Sequence, residues 1–245
     1  MVHVKIVMSA LIQYMNCINM QLHEIPLAFI SRCVLWVMGW KPLTPDIFRK
    51  LEHERLVLVF SHTSYVDFYI LALYLMAYPD RLPFIRVLVK PQPFEYAGWL
   101  LRRFGAIPST RIEERKGNGV QRIVQELQTL PRSVLLVSPK GTIVKHEWRT
   151  GYFHIAQQLH APIRVTGLDY ELKRVVMSKD YASVCEPELR ECLYSELAQI
   201  VPLFPEEEVV EIRQHNAQNR QIANWRRITT IITAVCGVAI SMLYI

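Results

Sequence analysis

Leu56-Val57-Leu58-Val59-Phe60 is an unbroken apolar run, and Ser61-His62-Thr63-Ser64-Tyr65-Val66-Asp67 follows it directly. A short continuous run of this kind reads as a strand buried on both faces. The polar turn after it leads into Val66 to Ala77, apolar and of helical length. Strand, turn and helix in that order are the opening of an α/β unit, and the rest of the chain repeats the alternation.

Phe84 to Lys90 is a second strand candidate, followed by a helix through Phe94, Tyr96, Trp99, Leu100 and Leu101. Val120, Ile123, Val124 and Leu127 recur at helical spacing and define one apolar face. Ser133 to Val137 is a third buried strand, and Pro162 to Val165 a fourth after a helix carrying Phe153, Ala156 and Leu159. The pattern predicts an α/β fold, with a largely parallel or mixed sheet flanked by helices. In such sheets the chemistry sits in the loops beyond the strand C-termini, which places the turn at His62 first among candidates.

The 245 residues suffice for one sizeable core, and a 51% apolar, 20% charged composition excludes a disordered chain. The net charge of +6 is compatible with nucleic acid, anionic lipid or an anionic substrate. No helix-turn-helix, RNP-like or zinc-finger pattern is present, which argues against nucleic acid. Cys17, Cys33, Cys185, Cys192 and Cys236 form no CxxC pair and no metal-ligand spacing, so a reduced compartment without structural disulfides is the simplest account.

Both termini read as membrane-associated. Ile228 to Ile245 carries no charge and follows Trp225-Arg226-Arg227, the flank pattern of a spanning or anchoring helix with the main body on the cytoplasmic side. Val4 to Leu22 is interrupted by Lys5, Gln13, Asn16 and Asn19, while Ile25 to Trp40 contains Arg32 and is short for a span. Two short helices ending in Trp36 and Trp40 fit a hairpin dipping into one leaflet. The expected organisation is therefore an N-terminal hairpin over 1–40, an α/β domain over 41–200, a helical connector over 201–227 and a C-terminal hydrophobic helix over 228–245.

His62 at a strand end and Asp67 in the first helical turn suit base catalysis. The carboxylate would fix the imidazole tautomer and leave the other ring nitrogen to take a hydroxyl proton. Ser64-x-x-Asp67 before an apolar run is equally a helix capping box, which would need no chemistry. No cysteine and no G-x-S-x-G elbow stands nearby, so direct attack by an acceptor hydroxyl fits better than an acyl-enzyme. The amides at the start of the Val66 helix and at Gly141 are candidate donors to a developing oxyanion.

The turn does not stand alone. His62-Thr63-Ser64-Tyr65-Val66-Asp67 resembles the H-x4-D motif of the glycerolipid acyltransferases, the lysophosphatidic acid acyltransferase family. Lys90 stands where that family carries a lysine, and Gly105-Ala106-Ile107-Pro108-Ser109-Thr110-Arg111 is similar to its second block. Ser138-Pro139-Lys140-Gly141-Thr142 looks like its third block, F-P-E-G-T-R, and Ala161-Pro162-Ile163 like its fourth. Trp148 to Phe153, with Asp169-Tyr170 beyond, resembles a bacterial-type branch.

The resemblance spans roughly residues 40 to 180 and implies a transferase that moves a fatty acyl group from acyl-CoA or acyl carrier protein to a lysophospholipid. Lysophosphatidic acid giving phosphatidic acid is the first expectation; another lysophospholipid, glycerol-3-phosphate or an ornithine-lipid-type acceptor is the alternative. His62 would be the general base, Asp67 its orienting partner, and Lys90 and Arg111 the cations for the acceptor phosphate. Lys140, Gly141 and Thr142 complete the expected substrate contacts, and no cofactor or metal is implied.

The third block departs from the pattern. Lys140 replaces glutamate, Ser138 replaces phenylalanine and Ile143 replaces arginine. The reversed charge predicts that Lys140 binds an anionic headgroup. The rival expectations are a catalytically idle membrane-binding relative and a hydrolase in which His62 activates water.

Overall fold

The computed structural model of the protein describes residues 24–109, 119–141, 147–182, 185–208 and 212. Of the features expected above, Val4 to Leu22, Arg111, Thr142 and the apolar tail over 228–245 lie outside the described residues.

Six strands form one sheet: β1 (Arg55–Phe60), β2 (Ile85–Val89), β3 (Ala106–Pro108), β4 (Ser133–Val137), β5 (Ile163–Asp169) and β6 (Arg174–Met177). Their spatial order is β3-β2-β4-β1-β5-β6. The first five run parallel, and β6 returns antiparallel against β5. β1 lies centrally between β4 and β5, which is why all of Leu56 to Phe60 is buried, as a strand covered on both faces must be.

Alternation along the strands splits the core into two clusters. Val57, Val59, Leu135, Val137, Ile163 and Val165 face one side. There they meet α5 (Gly119–Gln128), α6 (Gly151–Leu159) and α7 (Glu186–Leu197) through Ile123, Val124, Leu127, Phe153, Ala156, Leu159 and Leu193. Leu56, Leu58, Phe60, Val134 and Leu136 face the other. Against them pack α1 (Glu24–Val37), α2 (Pro45–Lys50) and α3 (Tyr65–Ala77) through Leu35, Ile47, Val66, Ile70 and Tyr74. The helix α4 (Phe94–Arg103) follows β2, with non-helical backbone at Ala97.

The segment Ile25 to Trp40 is not a free hairpin arm along its whole length. Ala28, Ser31 and Leu35 are buried at helical spacing, and Arg32 Nε donates to the carbonyl of Ala77 at 2.8 Å, closing the C-terminus of α3. Phe29, Ile30, Trp36 and Val37 stay exposed on the opposite side. Trp40, expected at a membrane interface, is instead buried: its ring packs edge-on against Tyr170 and Tyr74 at 5.1 and 6.3 Å. The packing surplus of a fully enclosed indole between two phenol rings decides its place. Among the described residues no helix is long and apolar enough to cross a membrane.

Two glycines with positive φ hold tight turns, Gly105 at the edge where β2 and β3 start and Gly141 at the edge where β4 ends. Gly105 has φ +74°, and a Cβ there would meet the Ile85 carbonyl oxygen at 2.3 Å, so only glycine lets α4 turn into β3 against β2. Gly141 has φ +65° in the tight turn after β4, with its amide bonded to the Ser138 carbonyl at 3.0 Å.

Candidate active site

The parallel strands end on one edge, and four of the expected residues lie there: His62 and Asp67 after β1, Lys90 after β2 and Gly141 after β4. Ser64 is the N-cap of α3, its Oγ accepting from the amide of Val66 at 3.0 Å. Asp67 Oδ2 closes the capping box by accepting from the amide of Ser64 at 2.9 Å, and also accepts from that of Thr63 at 3.0 Å. The same oxygen lies 3.3 Å from His62 Nδ1. Cap and orienting carboxylate are thus one group: the bond network that starts the helix also fixes the imidazole.

Asp67 is 2% exposed, so each lone pair needs a donor, and the second oxygen finds one far along the chain. The phenol of Tyr170, just beyond β5, donates to Oδ1 at 2.7 Å. Burial first, then the charge and the hydrogen bond of Asp67, push the Tyr170 pKa well above its ordinary value, which keeps it a donor. Asp169-Tyr170 figures in the sequence resemblance, but with no role attached to Tyr170. The indole of Trp40 supports its ring, and Lys173 in the β5–β6 turn lies over Trp40 at 5.3 Å.

With Nδ1 turned toward Asp67, Nε2 is the nitrogen left for a substrate. His62 lines a cavity of about 420 Å³ enclosed between α3, α4 and the ends of β1, β2 and β4. Leu71, Val87, Leu88, Leu101 and Leu136 make its walls apolar. Lys90, Ser109, Ser138 and Gly141 collect at the same strand-end side as His62, and Tyr65 and Phe68 stand exposed beside it. The volume suits a small-molecule site with apolar walls and a few polar groups at one end. A larger groove of about 790 Å³ lies at the opposite edge, by the starts of β2 and β3. No histidine lines it, and Arg86 Nη1 within it is already bonded to the carbonyls of Pro83 and Ile85.

Lys140 departs from the expected headgroup contact. It is 1% exposed, does not line the cavity, and its ammonium donates to the carbonyl of Glu207. Beside it Ser61 Oγ bonds the carboxylate of buried Glu208. The 3-10 turn Pro205–Glu207 and Glu208 are thereby tied to the loops after β4 and β1. A buried ammonium has to find oxygen partners, and a backbone carbonyl of a distant segment supplies one.

The family model described as Acyltransferase matches residues 45–166, from the start of α2 into β5. The chain carries an acyltransferase-family domain. No curated protein matches it. The matched stretch of the acyltransferase domain contains His62, Asp67, Lys90, Lys140 and Gly141, while Tyr170 and Glu208 lie beyond it.

Proposed function

We propose that this acyltransferase moves a fatty acyl group from a thioester donor to the hydroxyl of a lysophospholipid, lysophosphatidic acid first among them. The observation that carries the reading is the Tyr170–Asp67–His62 array opening onto an apolar cavity. Asp67 holds His62 with Nε2 toward the substrate. That nitrogen takes the proton as the acceptor oxygen attacks the thioester carbonyl carbon. The new C–O bond forms and the carbonyl electrons move to oxygen. Their return breaks the C–S bond, and the departing thiolate takes the proton from His62.

The apolar walls would shield the acyl chain and the thioester from water, favouring transfer over hydrolysis. Lys90, exposed at the cavity rim, would meet the acceptor phosphate, and Arg111 is proposed as a second cation for it from the sequence block that contains it. The domain would work on a membrane surface, with its catalytic face toward cytoplasmic donors. Exposed Phe29, Ile30, Trp36 and Val37 on α1, and Tyr96 and Trp99 on α4, support this, since such side chains gain by entering the lipid interface.

The test is transfer of a labelled acyl group by the detergent-solubilised protein to a panel of lyso-lipids, with acyl-CoA and then acyl carrier protein as donor. Esterified product that falls about 10²- to 10⁴-fold in His62→Ala is the expected result. Free fatty acid without ester would make the protein a hydrolase. Silence with every acceptor and both donors would mean the fold is kept without the reaction.

A further inference from the structure

Attack on a thioester leaves negative charge on the carbonyl oxygen, and an acyl transferase needs a donor aimed at it. Five of the amides that the sequence offers for this task are already engaged. Those of Thr63 and Ser64 donate to Asp67, that of Val66 to Ser64 Oγ, that of Asp67 to the Ser64 carbonyl and that of Gly141 to the Ser138 carbonyl.

Ser138 is different. Its Oγ is buried and has no hydrogen-bond partner among the described residues, while the residue lines the cavity that contains His62. Buried hydroxyls are nearly always paired, so an unpaired one in a cavity wall points to a partner that arrives with the ligand. Its place at the end of β4 agrees with that position. Val137, the last residue of β4, pairs with Val59, and Ser138 follows it at the edge where β1 leads through Ser61 into His62. Strand alternation puts it on the face of Val134 and Leu136, the side that carries α3 and the cavity.

We infer that Ser138 is a catalytic residue whose hydroxyl donates a hydrogen bond to the thioester carbonyl oxygen as its charge grows. This rests on the transferase reading above for its substrate. It adds no covalent step: the Ser138 proton stays on Oγ, and the electrons on the carbonyl oxygen return when the C–S bond breaks.

The experiment uses acyl-CoA labelled with ¹³C at its carbonyl, bound to the full chain carrying His62→Ala so that the thioester persists. The infrared carbonyl stretch is compared with that in His62→Ala/Ser138→Ala. A lower frequency with Ser138 present is expected, and equal frequencies overturn the assignment. In the otherwise native chain, Ser138→Ala should lower kcat by about 10²-fold with little change in KM. Its melting temperature should hold or rise, because no protein hydrogen bond is lost. A clear fall in melting temperature would mean that the hydroxyl serves the fold, and the assignment fails. If the native chain makes no ester yet the Ser138-dependent frequency shift is seen, the transferase reading fails and the contact stands. If Ser138→Ala transfers at the native rate, the reading stands and the assignment falls.

Discussion

The Tyr170 phenol reaches across 103 residues of chain to donate to Asp67 Oδ1 at 2.7 Å, joining the end of β5 to the first turn of α3. Asp67 Oδ2 meanwhile serves His62 and the two amides that open the helix. One buried carboxylate therefore sums the geometry of the base, the helix start and the last parallel strand. Tyr170→Phe keeps the ring against Trp40 and removes only the donor. We expect a loss of about 1.5–3 kcal/mol in stability and roughly a tenfold fall in kcat. Chemical denaturation and steady-state kinetics on the same preparation check both.

Asp67→Asn puts an amide where three donors and an imidazole converge, so at least one N–H faces another donor. Transfer should fall by about 10²- to 10⁴-fold, as for loss of the base itself. The cap is weakened at the same time, by about 0.5–2 kcal/mol. His62→Ala, whose side chain is 24% exposed, should lose activity with little change in melting temperature, and comparing the two variants separates chemistry from folding.

Val87 and Leu136 face each other across the β2–β4 register and line the apolar side of the cavity. Val87→Phe shortens the space available beyond His62. Competition between long- and short-chain acyl thioesters should shift toward the short one, with kcat for the short substrate largely kept. An unchanged preference would show that the chain lies elsewhere.

Lys140→Met removes the ammonium that donates to the Glu207 carbonyl. The expected result is a loss of about 1–3 kcal/mol and faster amide exchange over 205–208, with the acceptor profile unchanged. A changed ranking of lyso-lipid headgroups would return Lys140 to the acceptor site.

Asp180 is bound by both Nε and Nη2 of Arg164, the latter at 2.8 Å, with His53 Nε2 at 3.4 Å. The Arg164 hydrogen bonds, and then the charges of Arg164 and His53, hold its carboxyl below the ordinary value of 3.8 against a smaller opposing effect of burial. Folding therefore favours the ionised form, and its contribution is complete above that ordinary value and fades as pH falls through the lower, folded one. The melting-temperature gap between the native chain and Asp180→Asn should be open at neutral pH and should narrow in acid.

Much of the fold was legible because its signals are local. The apolar runs at Leu56 to Phe60 and Ser133 to Val137 became central strands, and the face of Val120, Ile123, Val124 and Leu127 became the buried side of α5. The short strand β3 and the antiparallel return of β6 gave no such signal, being three and four residues long and shaped by their neighbours. Capping chemistry spans only a few residues, so Ser64 and Asp67 could be read directly, together with His62 beside them.

The sequence by itself determined the strand–turn–helix that carries the base, because hydrophobic period, cap and turn residues act within one short stretch of chain. Tertiary structure alone decided that Tyr170 completes the Asp67 shell, that Trp40 lies in the core and that Ser138 opens into the cavity. It also turned Lys140 from a presumed headgroup ligand into a buried tie to Glu207. These outcomes depend on which distant segments the packing brings together and on where each buried polar group then finds a partner. Neither is encoded in the spacing of residues along the chain.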